Sequence, residues 1–249
     1  MQHIDQLQHI INLATVPKRI ISLVPSQTEL LCYLGLEDSI VGITKFCVQP
    51  SYLKKQKTIV GGTKQVKLDT IKALHPDIII CNKEENTEAI VHELQNIAPV
   101  WVSDIYTVND ALQMIQLFGE IFDVTEKAEH LVKEITYARD DFKKYIQIKP
   151  RRKVAYLIWK NPWMLAGTNT YINELLQLNN FINIANEESR YPEIDANTLL
   201  DADLVLLSSE PYPFKDKHAT ELKKELKKEI RLVDGEYFSW YGSRLKDAF

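Results

Sequence analysis

RIISLVPSQTELLCYLGL, residues 19–36, decides how the rest of the chain is read. Ile20, Ile21, Leu23 and Val24 form a short apolar run with β-branched members, the composition of a strand buried in a parallel sheet. Pro25 stops it. Ser26 follows, with Glu29 three positions on, the S-x-x-E order of a capping box, and Leu30, Leu31 and Leu34 recur at helical spacing. The expected helix starts at Ser26 and is ended by Gly35. A strand running straight into a helix places Ser26, Gln27 and Thr28 at the helix N-terminus, just past the carboxyl end of the strand, where open α/β sheets bind ligands. The stretch reads as the lip of a binding cleft.

Working outward, strand and helix patterns alternate. SIVGIT (39–44), DIIICN (77–82) and VWVSD (100–104) read as strands, separated by the turn VGGTK (60–64) and by helices from Asp69 to Leu74 and over 85–98. This βαβα order predicts a parallel sheet. A tract free of Gly and Pro then runs over 121–148, with Ala128, Leu131, Val132, Ile135, Ala138, Phe142 and Ile146 at helical spacing. KVAYLIW (153–159) resumes the strand pattern. The second half echoes the first: LDTIKALHPDIII (68–80) aligns without gaps on IDANTLLDADLVL (194–206), matching Asp69 with Asp195 and Asp77 with Asp203. Each segment reads as an Asp-capped short helix feeding a buried strand. The expected fold class is α/β, with two Rossmann-like lobes of parallel sheet, 1–120 and 149–249, bridged by one long α-helix over 121–148, and a ligand cleft between the lobes.

Composition narrows the function. A chain of 249 residues, 45% hydrophobic and 26% charged, can bury a substantial core. A net charge of −4 argues against nucleic acid as the main partner. Lys223, Lys224, Lys227 and Lys228 alternate with Glu221, Glu225 and Glu229, the pattern of a solvated helix face. Cys32, Cys47 and Cys81 sit among apolar residues and read as buried thiols. His3, His9, His75, His92, His130 and His218 are scattered without metal-ligand spacing. No segment approaches eighteen consecutive apolar residues, and MQHIDQLQHIINLATVPKRI lacks a basic n-region, an h-region and a lipobox cysteine, so the expectation is no membrane insertion and a cytoplasmic location, or a periplasmic one if a signal has been removed.

RIISLVPSQTELLCYLGLEDSIVGIT, the spacing to VGGTK, the phrase LDTIKALHPDIII, the 121–148 tract and the closing half together resemble the helical-backbone metal receptor family. These are the class III solute-binding proteins of ABC importers for cobalamin, iron-siderophores and haem, and the similarity is greatest to the vitamin B12-binding members. It covers about Lys18 to Phe249. The resemblance implies a largely preformed site, a corrinoid or other metal chelate as ligand, no chemistry performed on it, no intrinsic cofactor, and cobalt or iron arriving only with the ligand; the expected protein is a monomer that either delivers to an ABC permease or, as a cytosolic homologue, acts as a receptor or carrier.

The strand-end segments then supply the expected lining: Ser26, Gln27, Thr28, Lys45, Phe46, Lys64, Asn82 and Lys83 from the first half, and Trp159, Trp163, Tyr191, Tyr212, Phe214, Trp240 and Arg244 from the second. Large flat ligands bury much of their area on aromatic faces. Core packing explains each aromatic taken singly; as a set beside Pro, Gly and Asn loops they read as a wall. Arg244 suits a ligand phosphate or carboxylate and equally a neighbouring carboxylate. Asp69 and Asp195 fall where the family docks acidic residues on its permease, although the family uses Glu and an N-cap role serves an aspartate as well. The alternative is a cytosolic enzyme acting on a tetrapyrrole or metal chelate, for which Lys83, Glu84, Glu85 and Glu210 are the available titratable groups. No nucleophile elbow or phosphate-binding glycine loop supports it.

Overall fold

The computed structural model describes residues 1–249. The chain divides into two compact units, one of Met1–Ile105, Asn109–Ile135 and Tyr241–Lys246, the other of Tyr106–Val108, Thr136–Trp240 and Asp247–Phe249.

The first unit opens with an antiparallel hairpin, β1 (Gln2–Ile4) and β2 (Ile10–Asn12). Its sheet follows in the order β3 (Ile20–Ser22), α1 (Pro25–Tyr33), β4 (Ile40–Ile43), α2 (Leu53–Gln56), β5 (Thr58–Ile59), α3 (Leu68–Ala73), β6 (Ile78–Asn82), α4 (Glu88–Gln95) and β7 (Val100–Ser103), and α5 (Val108–Ile121) comes after it. The five strands lie side by side as β5-β4-β3-β6-β7, all parallel. Ile21, Leu23, Ile79, Cys81, Val100 and Val102 pack into one core with Ile71, Ile90 and Leu94 from the covering helices. The hairpin guards the sheet's outer strand: buried Asp5 accepts the Val102 N–H at 3.2 Å, and Gln6 Oε1 accepts that of Asp104 at 3.2 Å. An edge strand so occupied cannot pair with another chain there.

Two expectations fail locally. α1 begins at Pro25, not Ser26, because proline's fixed φ and missing N–H suit the first helical position. Val24 becomes the N-cap, no side chain caps the helix, and the capping box does not form. Gly35 does end the helix: at φ +85° it donates to Cys32 O while Leu36 donates to Leu31 O, a Schellman closure. Asp69 is likewise not a cap, since α3 starts one residue earlier behind Lys67 and shows no side-chain cap bond.

The long helix also starts later than expected. α5 ends at Ile121, Asp123 turns through φ +56°, and α6 runs unbroken over Thr125–Ile146, about 33 Å at 1.5 Å per residue. A Cβ at Gly119 would lie 2.7 Å from Ala128 Cβ, so glycine lets the end of α5 meet the start of α6. The division between the units falls within α6, after Ile135.

The second unit contains β8 (Arg152–Trp159), β9 (Trp163–Leu165), α7 (Tyr171–Leu178), β10 (Phe181–Asn183), β11 (Glu193–Ile194), β12 (Leu204–Ser208), α8 (Asp216–Leu226), β13 (Glu229–Val233) and α9 (Glu236–Ser239). Its sheet is mixed, a correction to the expected parallel one. β10, β8, β12 and β13 are parallel, but β9 runs against them in the order β11-β9-β8-β12-β13, with β11 antiparallel to β9 and so aligned with the rest, and β10 sharing the β9 side of β8. The turn 160–162, with Asn161 at φ +65°, folds the chain directly back on β8 as the antiparallel β9. Alternate residues fill two cores, Ala155, Leu157, Val205 and Leu207 on one face and Val154, Tyr156, Leu204 and Leu206 on the other.

Candidate functional site

In the first unit β4 and β5 lie to one side of β3, and β6 and β7 to the other, so the order reverses between β3 and β6. Such a reversal opens a crevice at the strands' carboxyl ends. Each strand there finishes on a buried polar residue: Ser22, Asn82 and Ser103. Gln27 Nε2 donates to Ser103 Oγ. Asn82 Nδ2 donates to the same oxygen at 3.1 Å and to Ser103 O at 3.2 Å. Asn82 Oδ1 accepts the N–H groups of Glu84 and Glu85 at 2.9 and 3.1 Å, which shapes the loop after β6, and Lys64 Nζ holds Glu84 O at 2.7 Å. Thr28 Oγ1 lies 2.8 Å from Ser22 Oγ and 3.2 Å from Cys47 Sγ.

Gln27 and Thr28 are therefore wholly buried, Ser26 and Asn82 nearly so. The Tyr241 phenol, from the C-terminal segment of the same unit, packs over Ser26 and Gln27. Burial and then Glu85 push its pKa well above the usual range, against the pull of the Gln27 and Ser26 dipoles. Arg244 binds Glu29 through two hydrogen bonds, at 2.7 and 3.3 Å. Exposed at this end are Phe46, with the Lys45 ammonium 5.0 Å above its ring, and Lys83, paired with Asp104 at 2.7 Å.

The second unit places rings where the first places amides and hydroxyls. The end of β8, the start of β9 and the loop after β12 bring Trp159 and Tyr212 edge to face at 5.6 Å, and Trp163 parallel to Phe214 at 6.3 Å. Tyr212 also touches Phe214 at 4.6 Å. Lys160 stands 5.5 Å above the Trp163 ring and pairs with Glu221. Phe214 is buried, Trp163 and Tyr212 half-buried, and Trp159 is 39% exposed. His218 closes the cluster, edge to face with Phe214 at 5.6 Å. Its Nδ1 accepts the Lys215 N–H at 3.0 Å, so the neutral ring carries its proton on Nε2. Burial, then Lys160, lowers its pKa.

Trp240 belongs to a separate group in this unit. It is buried, and its indole N–H donates to Glu210 Oε1 at 3.1 Å, an oxygen that also accepts from Ser239. Tyr191 lies apart again, under the Arg190 guanidinium at 5.5 Å. Asp69 and Asp195 are exposed, and Asp195 caps the short turn 196–201 by accepting the Asn197 N–H at 2.8 Å.

Ser103 and His218 are not singled out by the sequence. Ser103 has a signal, being the polar last residue of an apolar run. His218 has none. No three His, Cys, Asp or Glu side chains converge on a point that could hold a metal. The three cysteines are free, and burial raises each thiol's pKa, Cys32 to about 12.

A two-unit α/β chain with loop-borne side chains at its strand ends defines a class of binding proteins, and the comparisons agree. Residues 20–232 match the family described as periplasmic binding protein, and the chain belongs to it. An ABC transporter substrate-binding lipoprotein of Bacillus subtilis is 27% identical over 72% of this chain and 59% of its own length. The vitamin B12-binding protein of Pectobacterium atrosepticum is 27% identical over 46% of this chain and 41% of its own. The matched stretch thus spans only about half the length of these relatives. Among solved structures, the periplasmic vitamin B12-binding protein of Vibrio cholerae superposes with a TM-score of 0.78 at 19% identity, covering 94% of each chain. A possible iron-binding protein of Staphylococcus epidermidis gives 0.79 at 20%, covering 94% of this chain and 96% of that one. At such identities the likeness is one of fold.

Proposed function

We propose that this protein binds a metal chelate, a corrinoid first and an iron-siderophore or haem otherwise, and passes it on unchanged to an ABC permease. The observation that carries the reading is the ring cluster of the second unit, where Trp159, Trp163 and Tyr212 keep part of their faces outside the core. Rings held in place by one another offer area to a flat ligand at little entropic cost. The relatives named for vitamin B12 and iron support the same class. In this reading the ligand brings its own cobalt or iron and its coordination sphere.

In this reading the chain works as lobes 1–120 and 149–249 joined by 121–148, with Lys45, Phe46, Lys64 and Lys83 supplying contacts from the first lobe. Asp69 and Asp195, both exposed, meet the permease if the protein is exported, and need meet none if it is a cytosolic receptor or carrier. The enzyme reading lacks a base set against an activated nucleophile, because the buried thiols are held protonated. The cytoplasmic placement has the three free thiols behind it. Relatives titled periplasmic or lipoprotein weigh the other way, and fractionation with sequencing of the native N-terminus decides between them.

The test is a titration panel of cobalamin, cobinamide, haem and a ferric siderophore, followed by tryptophan fluorescence and ligand absorbance. One chelate should quench the fluorescence saturably. Quenching by none, or turnover of any, overturns the proposal.

A further inference from the structure

Residues 143–153, KKYIQIKPRRK, where α6 runs out into β8, hold six Lys or Arg and no Asp or Glu, in a chain whose net charge is −4. The segment lies wholly within the second unit. Lys143, Lys144, Lys149 and Arg151 are exposed, and among them Tyr145 and Ile148 are 57% and 76% exposed. The partial negative charge of a helix C-terminus accounts for cations in the last turn, Lys143 and Lys144. It does not account for those beyond the helix, nor for the apolar side chains left in water.

Neighbouring acids do not neutralise the patch. Glu229 is shared by Arg152 and Arg231 at 2.6 Å each. Asp203 accepts the Lys153 N–H at 2.8 Å. Lys149 stands over the Tyr145 ring at 4.5 Å, and Asp140 pairs with Arg139. Cations alternating with an exposed aromatic and an aliphatic side chain match one surface chemistry, a sheet of phosphate groups above an apolar layer.

We propose that the 143–153 segment docks this protein peripherally on an anionic lipid surface, its lysines and Arg151 among the headgroup phosphates and Tyr145 and Ile148 at the headgroup–acyl boundary. Cations near such a surface are attracted within a Debye length, and interfacial side chains add apolar burial without spanning the bilayer. A nucleic acid would use the same cations but leave Ile148 in water. The inference is independent of which ligand is bound, since the test below uses none.

The experiment is co-sedimentation of the full chain with phosphatidylglycerol–phosphatidylcholine vesicles and with pure phosphatidylcholine vesicles, at low and high salt. Binding is expected to the anionic vesicles alone and to weaken with salt. The double substitution Lys144→Gln/Lys149→Gln should lower the partition coefficient about 25-fold, at about fivefold per neutralised cation. Ile148→Ser should lower it several-fold at unchanged charge. Because all three side chains are exposed, unfolding midpoints should stay within about 0.5 kcal/mol of the parent, which keeps folding out of the readout. No preference for anionic vesicles, parent-like binding by the double variant or by Ile148→Ser, or displacement by short duplex DNA at equal phosphate concentration would each overturn the proposal.

Discussion

At the foot of their central strands the two units are built alike. Asp77 donates its N–H to Arg19 O at 2.8 Å and accepts the Lys18 and Arg19 N–H groups on its carboxylate at 2.8 and 2.9 Å, tying β6 to the start of β3. Asp203 donates to Lys153 O at 2.9 Å and accepts the Lys153 N–H at 2.8 Å, tying β12 to β8. At the head of the same strands the units part. One finishes in buried amides and hydroxyls, of which Asn82, Ser103 and the Gln27 Nε2 group bond one another while Ser26 Oγ and Gln27 Oε1 find no partner, the other in rings that keep part of their surface outside the core. The repeated end answers a backbone requirement common to both sheets, and the divergent end is where recognition could specialise. In the proposed reading the buried polar head of the first unit is mainly scaffold, and the ring head of the second is the larger contact surface.

Asn82→Ala puts that division to its hardest test. Asn82 makes two hydrogen bonds to Ser103 and accepts two more from the loop after β6, all at a buried site. Removing the amide should lower stability by about 3 kcal/mol, which for a chain of this size is a fall of about 6–12 °C in unfolding midpoint. A stable variant with weakened ligand binding would instead make Asn82 a contact residue and break the comparison. Trp159→Ala probes the other head. Chelate affinity should fall by about 1.5 kcal/mol while stability changes by less than about 0.5 kcal/mol, as expected for a partly exposed ring. Isothermal titration and thermal unfolding of the same preparation separate the two. Asp203→Ala tests the shared foot: a loss of about 1 kcal/mol is expected, with Asp77→Ala costing more because two N–H groups lose their acceptor.

The shared foot is visible in the sequence as the gapless match of 68–80 with 194–206. Of the two aspartates expected there as caps, Asp195 caps its short turn and Asp69 does not, whereas Asp77 and Asp203 repeat structurally. An N-cap and a strand-entry aspartate look the same in sequence, and only the neighbouring strand distinguishes them. Apolar runs marked β3, β6 and β7 well, because burial on both faces leaves little freedom in composition. Pro25 carried the true helix start, but the S-x-x-E pattern drew the boundary one residue on. The antiparallel β9 was hidden because three residues, 160–162, decide between hairpin and crossover, and periodicity says nothing about them. Which aromatics share a cluster was equally hidden: Trp163 and Phe214 stack across 51 positions of chain, while Trp240 and Tyr241, adjacent in sequence, fall in different units.

The smallest effect sharpens the comparison through charge. In the first unit the Arg244–Glu29 pair is 14% and 20% exposed, whereas in the second the Arg152–Glu229 pair is 34% and 38% exposed. Hydrogen bonds from Arg152, then Arg231, hold the Glu229 carboxyl below its ordinary value of 4.5. A carboxyl whose folded-state pKa is depressed contributes stability that is fully present above the unfolded value and is lost as pH falls through the folded one. Wild type should therefore exceed Glu229→Gln in unfolding midpoint at neutral pH, and the gap should close as pH drops below about 4.5. Solvent screening keeps that gap smaller than the other effects, and added salt should shrink it further. Thermal melts of both proteins from neutral to acid pH, at two ionic strengths, provide the check. A gap that persists unchanged into acid would mean that the substituted amide alters packing, with the ion pair adding nothing; a gap wider than that produced by Asp203→Ala would mean the exposed pair carries more of the foot of this unit than its solvent contact allows.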